Sequence, residues 1–129
     1  MLTLSVNSHT GGPLFDGRAN RAIQDATDVI ERKTATFGAA MIRARMDRTF
    51  KRQTPYYRLQ NEARVDPPGW KISDNGVIYG PWLEGVGSRN RTTRFKGYFI
   101  YRRSVQEIQR HMDEITRQEV ARALAAVGA

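Results

Sequence analysis

The chain has 129 residues, 40% of them hydrophobic and 26% charged, which fits one domain with one core and excludes wholesale disorder. Lys and Arg number 21 against 13 Asp and Glu, and the formal charge of +8 favours contact with an anionic partner. The absence of cysteine excludes disulfides and thiolate chemistry, and the sequence shows neither a signal-peptide pattern nor an apolar run of about 20 residues, so we expect a soluble protein made in the cytoplasm.

The start of the sequence carries one short pattern. Leu2, Leu4 and Val6 alternate with polar residues, which predicts a strand with one buried face. Residues 1–13 could equally be a tail that orders on assembly, because the ends of chains are often loosely held. We favour the strand.

A long helix is predicted from Gly17 to Phe50. Its apolar residues recur at steps of three and four, and Asp16 directly before it can accept hydrogen bonds from the free amides of the first turn. Gly38 weakens the middle by about 1 kcal/mol relative to alanine, which predicts a bend or break at residues 34–38. Gly38 then serves either as a hinge or as a point of close packing against a neighbouring element, and we favour close packing.

An antiparallel meander of strands is predicted after this helix. Bulky and polar residues alternate from Pro55 to Asp66, and Pro67-Pro68 ends that strand because proline lacks an amide hydrogen. Residues 69–73 form a short second strand. Asp74-Asn75-Gly76 predicts a tight turn, since Asn-Gly tolerates positive φ. Val77-Ile78-Tyr79 is the predicted third strand of the meander.

Residues 77–101 form the most unusual stretch of the sequence. An aromatic motif punctuated by glycine precedes a basic loop at residues 86–97, which we expect to be flexible and to face a neighbouring subunit, another protein or DNA. A second aromatic group then leads into the last helix. The motif and its continuation comprise Tyr79, Trp82, Glu84, Gly85, Phe95 and Tyr98, and the cations of the loop are Arg89, Arg91, Arg94 and Lys96.

The last helix is predicted from Phe99 to Val127. Apolar residues at alternating steps of four and three are typical of a helix packed against one other helix. The predicted stripe comprises Tyr101, Val105, Ile108, Met112 and Ile115, followed by Val120, Leu124 and Val127. The sequence thus predicts one α+β domain over residues 1–129, with a long N-terminal helix, a small antiparallel sheet of three to four strands and a long C-terminal helix.

The positive charge is concentrated in two zones. The segment from Arg43 to Arg58 holds six basic residues and one acid, and the segment from Arg89 to Arg110 holds seven basic residues and one acid. Each zone adjoins one of the predicted long helices. This concentration makes nucleic acid a serious candidate partner, because arginines and neighbouring aromatic rings can contact phosphates and bases. We expect most of those rings to lie in the core.

Few residues offer catalytic chemistry. Burial of Glu84 would raise its pKa and suit a general acid, but we prefer that it pairs with an arginine or accepts hydrogen bonds from backbone amides. His9 and His111 have no partners at metal-ligand spacing, and we expect His111 to be a solvated residue of a helix. We therefore predict neither an enzyme nor a cofactor nor a metal site.

The run YGPWLEGVGSRNRTTRFKGY, followed by an arginine-rich helix, resembles a family of small neck proteins of long-tailed bacteriophages, the tail-completion or head–tail joining proteins. In that family an aromatic segment that ends in Glu and Gly precedes a flexible loop. Here Tyr79, Trp82 or Leu83 and then Glu84-Gly85 match that segment, and residues 95–99 match the aromatic lead into the last helix. Members often carry a proline-containing turn where this chain has residues 92–97.

The resemblance implies a virion structural protein without enzymatic activity or cofactor. It implies a closed homo-oligomeric ring at the head–tail junction, with a hexamer favoured over a dodecamer, assembled in the bacterial host cytoplasm. Its partners would be neighbouring neck and tail proteins, with genomic DNA in the lumen and no membrane. The alternatives are a tail terminator or a minor capsid protein of the same virion, or a small non-enzymatic DNA-binding protein.

Overall fold

A computed structural model describes residues 2–8, 17–50 and 55–126. The fold is α+β, as predicted from the sequence, with a long N-terminal helix, a small antiparallel sheet and a long C-terminal helix. The elements are β1 (Thr3–Val6), α1 (Gly17–Thr49), α2 (Pro55–Gln60), β2 (Glu62–Asp66), β3 (Gly69–Ser73), α3 (Gly80–Glu84), a 3-10 turn (Ser88–Arg91) and α4 (Ile100–Ala126).

The sheet has three antiparallel strands in the order β1-β3-β2. The strand predicted at the start of the chain is confirmed, and it pairs along β3 with Leu4 opposite Ile72. The strand predicted at Val77-Ile78-Tyr79 is wrong. Both edges of β3 are occupied, one by β1 and the other by β2, so no edge is left for a strand after the turn. Residues 78–79 instead form a turn that leads into α3.

The strand predicted from Pro55 to Asp66 is confirmed only in its second half. The first half is the short helix α2, which begins at Pro55, a position where the missing amide hydrogen costs nothing. Helical geometry buries Tyr57. It also brings the fully buried Asn61 side chain onto the carbonyl oxygen of Tyr57, four residues earlier. The turn at Asn75-Gly76 has the predicted positive φ angles, +57° and +75°.

The two long helices, α1 and α4, pack against each other in antiparallel directions. Lys33 near the middle of α1 bonds to Glu119 near the end of α4, and Arg45 near the end of α1 bonds to Glu107 near the start of α4. The core lies between this pair and the sheet. Its buried side chains include Val6, Ala35, Ala39, Ile42, Met46, Tyr57, Ile72, Ile100, Tyr101 and Ile108. The stripe predicted on α4 is only partly right, since Val105 and Leu124 are exposed and Ser104, Glu119 and Ala123 are buried.

Helix α1 runs unbroken through residues 34–38, so the predicted break is wrong and the preferred prediction of close packing is confirmed. A Cβ atom at Gly38 would lie 2.6 Å from Cδ1 of Ile72 and 3.1 Å from Cδ1 of Ile108. Glycine therefore lets α1 approach the sheet and α4 together. The predicted N-cap, Asp16, lies outside the described residues. Among residues 17–50 and 55–126, no helix is both long and apolar enough to cross a membrane.

Candidate partner-binding loop

The two ends of the basic loop are tied together by backbone hydrogen bonds. Tyr98 N–H donates to the Leu83 carbonyl at 2.7 Å, and Phe99 N–H donates to the Glu84 carbonyl at 3.2 Å. Residues 86–97 therefore leave and re-enter the fold at one place, like a compact surface loop whose ends are close. The 3-10 turn at Ser88–Arg91 gives the loop internal structure.

Glycine is required at the base of the loop, where the two chain segments that enter and leave it come into close contact. Gly85 ends α3 with a φ of +102°, and Gly97 has a φ of +110°. A Cβ atom on either residue would overlap the backbone of the other, because Gly85 and Gly97 lie back to back. Side chains are therefore excluded at both positions by the close approach as well as by the left-handed backbone.

Glu84 joins the loop base to the last helix. Its side chain is buried, with Oε1 accepting from Tyr101 N–H at 2.9 Å and Oε2 accepting from Arg102 N–H at 3.0 Å. These amides belong to the first turn of α4 and have no partner within the helix. The preferred prediction, a carboxylate that accepts from backbone amides, is confirmed. Both carboxylate oxygens hold protein amides, and the negative charge lies at the positive end of the helix dipole.

The centre of the loop is held by Asn90, which the sequence interpretation missed. Asn90 Oδ1 accepts from Gly87 N–H at 2.9 Å, and its Nδ2 donates to the carbonyl oxygens of Trp82 at 3.0 Å and Phe95 at 3.2 Å. The side chain is only 5% exposed. In the sequence, Asn90 is the one amide side chain among the hydroxyl and basic residues of 88–94. Its three partners come from other parts of the loop, so they are identified only once the loop is closed.

The aromatic residues of the predicted site separate into two groups. Trp82, Phe95 and Tyr98 lie together, with ring centroids 4.4 Å apart for the first pair and 4.9 Å apart for the second. The row continues from Tyr98 to Phe50, just beyond α1, at 4.9 Å. Tyr79 instead packs against Tyr57 of α2 at 5.5 Å. The first group stiffens the loop, and the second fixes the preceding turn to α2.

The four cations of the loop are all exposed, and one of them, Lys96, also bonds to the loop backbone. Lys96 Nζ donates to the Asn90 carbonyl at 2.9 Å. Arg89, Arg91 and Arg94 are exposed, and none of them forms an ion pair with any described residue. The site predicted from the sequence therefore presents three guanidinium groups on a loop with fixed ends.

A buried polar cluster lies beneath the loop base. Tyr101 OH donates to Asn61 Oδ1 at 2.7 Å, and burial raises the pKa of the Tyr101 and Tyr57 phenols well above their usual range, with nearby Asp74 adding to both shifts. The phenols are therefore neutral hydrogen-bond donors at physiological pH. Asp74 Oδ1 accepts from Gly76 N–H at 3.0 Å and holds the turn before α3.

His111 is not simply a solvated residue. Its ring stacks on Phe37 of α1, with centroids 3.6 Å apart and planes 17° from parallel, and is partly buried. It therefore packs the two long helices together. His9 lies outside the described residues. Within the part of the chain that the structure describes, no three side chains of His, Asp or Glu are grouped so that they could hold a metal ion.

Exposed apolar side chains are concentrated beside the loop. Five of the eight large hydrophobic residues that are exposed in the described chain belong to α2 and to residues 78–86. These segments adjoin, because Asn75 Nδ2 donates to the Gln60 carbonyl at 2.9 Å and Tyr79 packs on Tyr57. Ile78 is 96% exposed. We call this set, which comprises Tyr56, Leu59, Ile78, Tyr79 and Val86, the apolar surface.

Comparisons of the chain with models of protein families, with curated proteins and with solved structures find no match.

Proposed function

We propose that this protein is a ring-forming structural subunit of the head–tail connector of a long-tailed bacteriophage, a neck or tail-completion protein without enzymatic activity. The observation that carries the proposal is the apolar surface beside a loop with fixed ends. Large apolar side chains that are exposed on adjoining segments mark contacts with other proteins. A hexamer is the favoured ring, and a dodecamer is the alternative.

A ring requires two different surfaces on each subunit. Each copy must meet one neighbour with one surface and the other neighbour with another, and the contact closes when the rotation between copies completes a circle. The apolar surface supplies one of the two. The resemblance of residues 78–103 to phage neck proteins gives the assembly its setting.

The side chains that could act as acids or bases instead bond to the backbone or pack within the fold, which supports a structural role. Both oxygens of Glu84 accept from backbone amides, and His111 stacks on Phe37. The phenols of Tyr57 and Tyr101 are buried, and their raised pKa values keep them protonated. A tail terminator or a minor capsid protein of the same virion is the alternative, and the position of the protein in the particle distinguishes them.

Replacing Ile78 tests the assembly. An Ile78→Ser subunit should fold normally but form rings at least about tenfold more weakly, because removing a large apolar anchor from an interface centre costs about 1–3 kcal/mol. Val105→Ser is the matched control, since Val105 is an exposed apolar residue of α4 that does not belong to the adjoining segments of the apolar surface. Light scattering with size-exclusion chromatography measures the assembled mass. A monomeric wild-type protein at all concentrations, or equal loss in both variants, would contradict the proposal.

The setting in the virion has its own test. Phage that lack the protein should accumulate DNA-filled heads and separate complete tails, which electron microscopy distinguishes from joined particles. Supplying the wild-type protein to such an extract should restore joined particles, and supplying the Ile78→Ser protein should not. Normal joined particles without the protein would exclude the connector role.

A further inference from the structure

The two basic zones of the sequence lie at the same end of the molecule. Helices α1 and α4 are antiparallel, so the end of α1 and the start of α4 are adjacent. The rings of Phe50 and Phe95 each lie 4.9 Å from the ring of Tyr98. Phe50 follows α1, Phe95 ends the basic stretch of the loop, and Tyr98 precedes α4. All three elements therefore meet at this one aromatic contact.

Six exposed arginines surround this junction. They come from the last turn of α1, from the loop and from the first turn of α4. We call them the basic end, which comprises Arg48, Arg89, Arg91, Arg94, Arg102 and Arg103. None of the six forms an ion pair with an acid in the described ranges.

The acids at this end of the molecule do not offset the charge. Asp47 bonds to Arg58 at 2.8 Å, and Glu107 bonds to Arg45 at 2.8 Å. Glu84 is buried on the amides of α4. The six arginines outnumber the buried acids Glu84 and Asp74 nearby, so the basic end carries a net positive charge that can attract a polyanion.

The chemistry of the loop favours phosphate over an acidic protein surface. Residues 88–94 read SRNRTTR and contain no apolar side chain. The centre of a protein–protein interface is enriched in aromatic residues and methionine as well as arginine, and this stretch offers arginine without either of the others. Arginine and hydroxyl side chains are the usual contacts of DNA phosphates. Trp82 and Phe95 are only partly exposed and pack on each other with ring centroids 4.4 Å apart, which leaves less of each ring for stacking on unpaired bases.

We propose that the basic end binds the phosphate backbone of duplex DNA without reading its sequence. This goes beyond the proposed ring, because it assigns a ligand to arginines of α1, the loop and α4, none of which belongs to the apolar surface. Arginine supplies bidentate contacts to phosphate oxygens, and the fixed loop ends keep the three loop arginines together. The contact releases counterions from the duplex and weakens as salt rises.

Fluorescence anisotropy with a fluorescein-labelled duplex of mixed sequence tests this on the purified full chain. Between about 50 and about 200 mM NaCl, the combined variant Arg89→Gln, Arg91→Gln, Arg94→Gln should bind at least tenfold more weakly, and the slope of log K against log salt should fall in magnitude by about 2 to 3. The matched control, Arg21→Gln, Arg32→Gln, Arg117→Gln, removes the same charge from exposed arginines outside the basic end and should change affinity less than about threefold.

A second variant tests whether the surface extends beyond the loop. Arg48→Gln with Arg103→Gln should also weaken binding, because these residues flank the loop at the junction. No binding of the duplex by wild-type protein at about 50 mM NaCl, equal losses in the control, or tighter binding of poly-glutamate than of DNA would overturn the proposal. Ring formation measured on the same variants should be unchanged, so failure of DNA binding is distinguishable from failure of assembly.

Discussion

Asn90 is the residue on which the shape of the basic loop depends. One side chain replaces the backbone pairing that a closed loop cannot form, since it bonds to Gly87, Trp82 and Phe95 on different sides of the loop. Glu84 has the corresponding function at the loop base, where it bonds to the first amides of α4. In both cases the sequence predicts a polar residue, and only the folded loop shows which backbone groups it satisfies.

Replacing Asn90 by alanine should destabilise the fold by about 2–4 kcal/mol, because an amide and two carbonyl oxygens lose their partners in a buried site. Urea unfolding followed by circular dichroism measures the change. Thr92→Ala is the control from the same loop, since Thr92 is exposed and should change stability by less than about 0.5 kcal/mol. A loss for Asn90→Ala no larger than that of the control would mean that the loop closes without these bonds.

At the scale of elements, the long helices were predictable and the short elements were not. Helices α1 and α4 each repeat their apolar pattern over many turns, so the period is unambiguous. The helix α2 is six residues long, and its alternation of bulky and polar residues fits a strand equally well. A contact with a residue distant in sequence favours the helix, because Tyr101 OH donates a hydrogen bond to the Asn61 side chain directly after α2.

The edge pairing of the sheet could not be predicted for the same reason. The Asn75-Gly76 turn permits a hairpin, but β1, nearly seventy residues earlier in the chain, occupies the available edge of β3. The segment after the turn therefore forms α3 and carries the Glu84 carboxylate toward α4. The motif residues were located correctly in the sequence, whereas the division between loop anchors and exposed arginines depended on this topology.

Gly38→Ala in α1 tests the close packing of the long helix. Alanine would improve helix propensity by about 1 kcal/mol, but its Cβ would lie 2.6 Å from Cδ1 of the fully buried Ile72, and the overpacking should exceed the gain. We expect a net loss of about 1–2 kcal/mol in thermal or urea unfolding. Thr36→Ala, at an exposed position of the same helix, should be neutral or slightly stabilising. Stabilisation by Gly38→Ala would show that the core repacks without cost.

At the scale of the whole molecule, the antiparallel pair of helices determines where the charge lies. Two basic zones about fifty residues apart in sequence meet because α1 ends where α4 begins. Farther from that junction, one ion pair joins the middle of α1 to the last third of α4. Glu119 of α4 is buried there and accepts from Lys33 at 2.8 Å and Arg122 at 3.2 Å. The buried Glu119 carboxylate is therefore paired within the protein, whereas the six arginines of the basic end have no acidic partner among the described residues.

The ion pair between Lys33 and Glu119 predicts how acid affects the stability of the protein. The hydrogen bond from Lys33 lowers the pKa of the Glu119 carboxyl below its usual range. A carboxyl with a lowered pKa in the folded state stabilises the fold above its unfolded pKa, about 4.3, and loses that contribution as pH falls through the folded pKa. Acid should therefore weaken the contact between Lys33 of α1 and Glu119 of α4.

Hydrogen exchange in α4 and urea unfolding from about pH 7 to about pH 3 measure this release. Glu119→Gln should be less stable than wild type at neutral pH, and the difference should vanish at the acid end of the range. Glu114→Gln, an exposed residue of the same helix, is the control and should follow wild type at every pH. The lowered pKa of Glu62 contributes equally to all three proteins and cancels in the comparison. A difference between wild type and Glu119→Gln that persists at about pH 3 would assign the stabilisation to packing instead of charge.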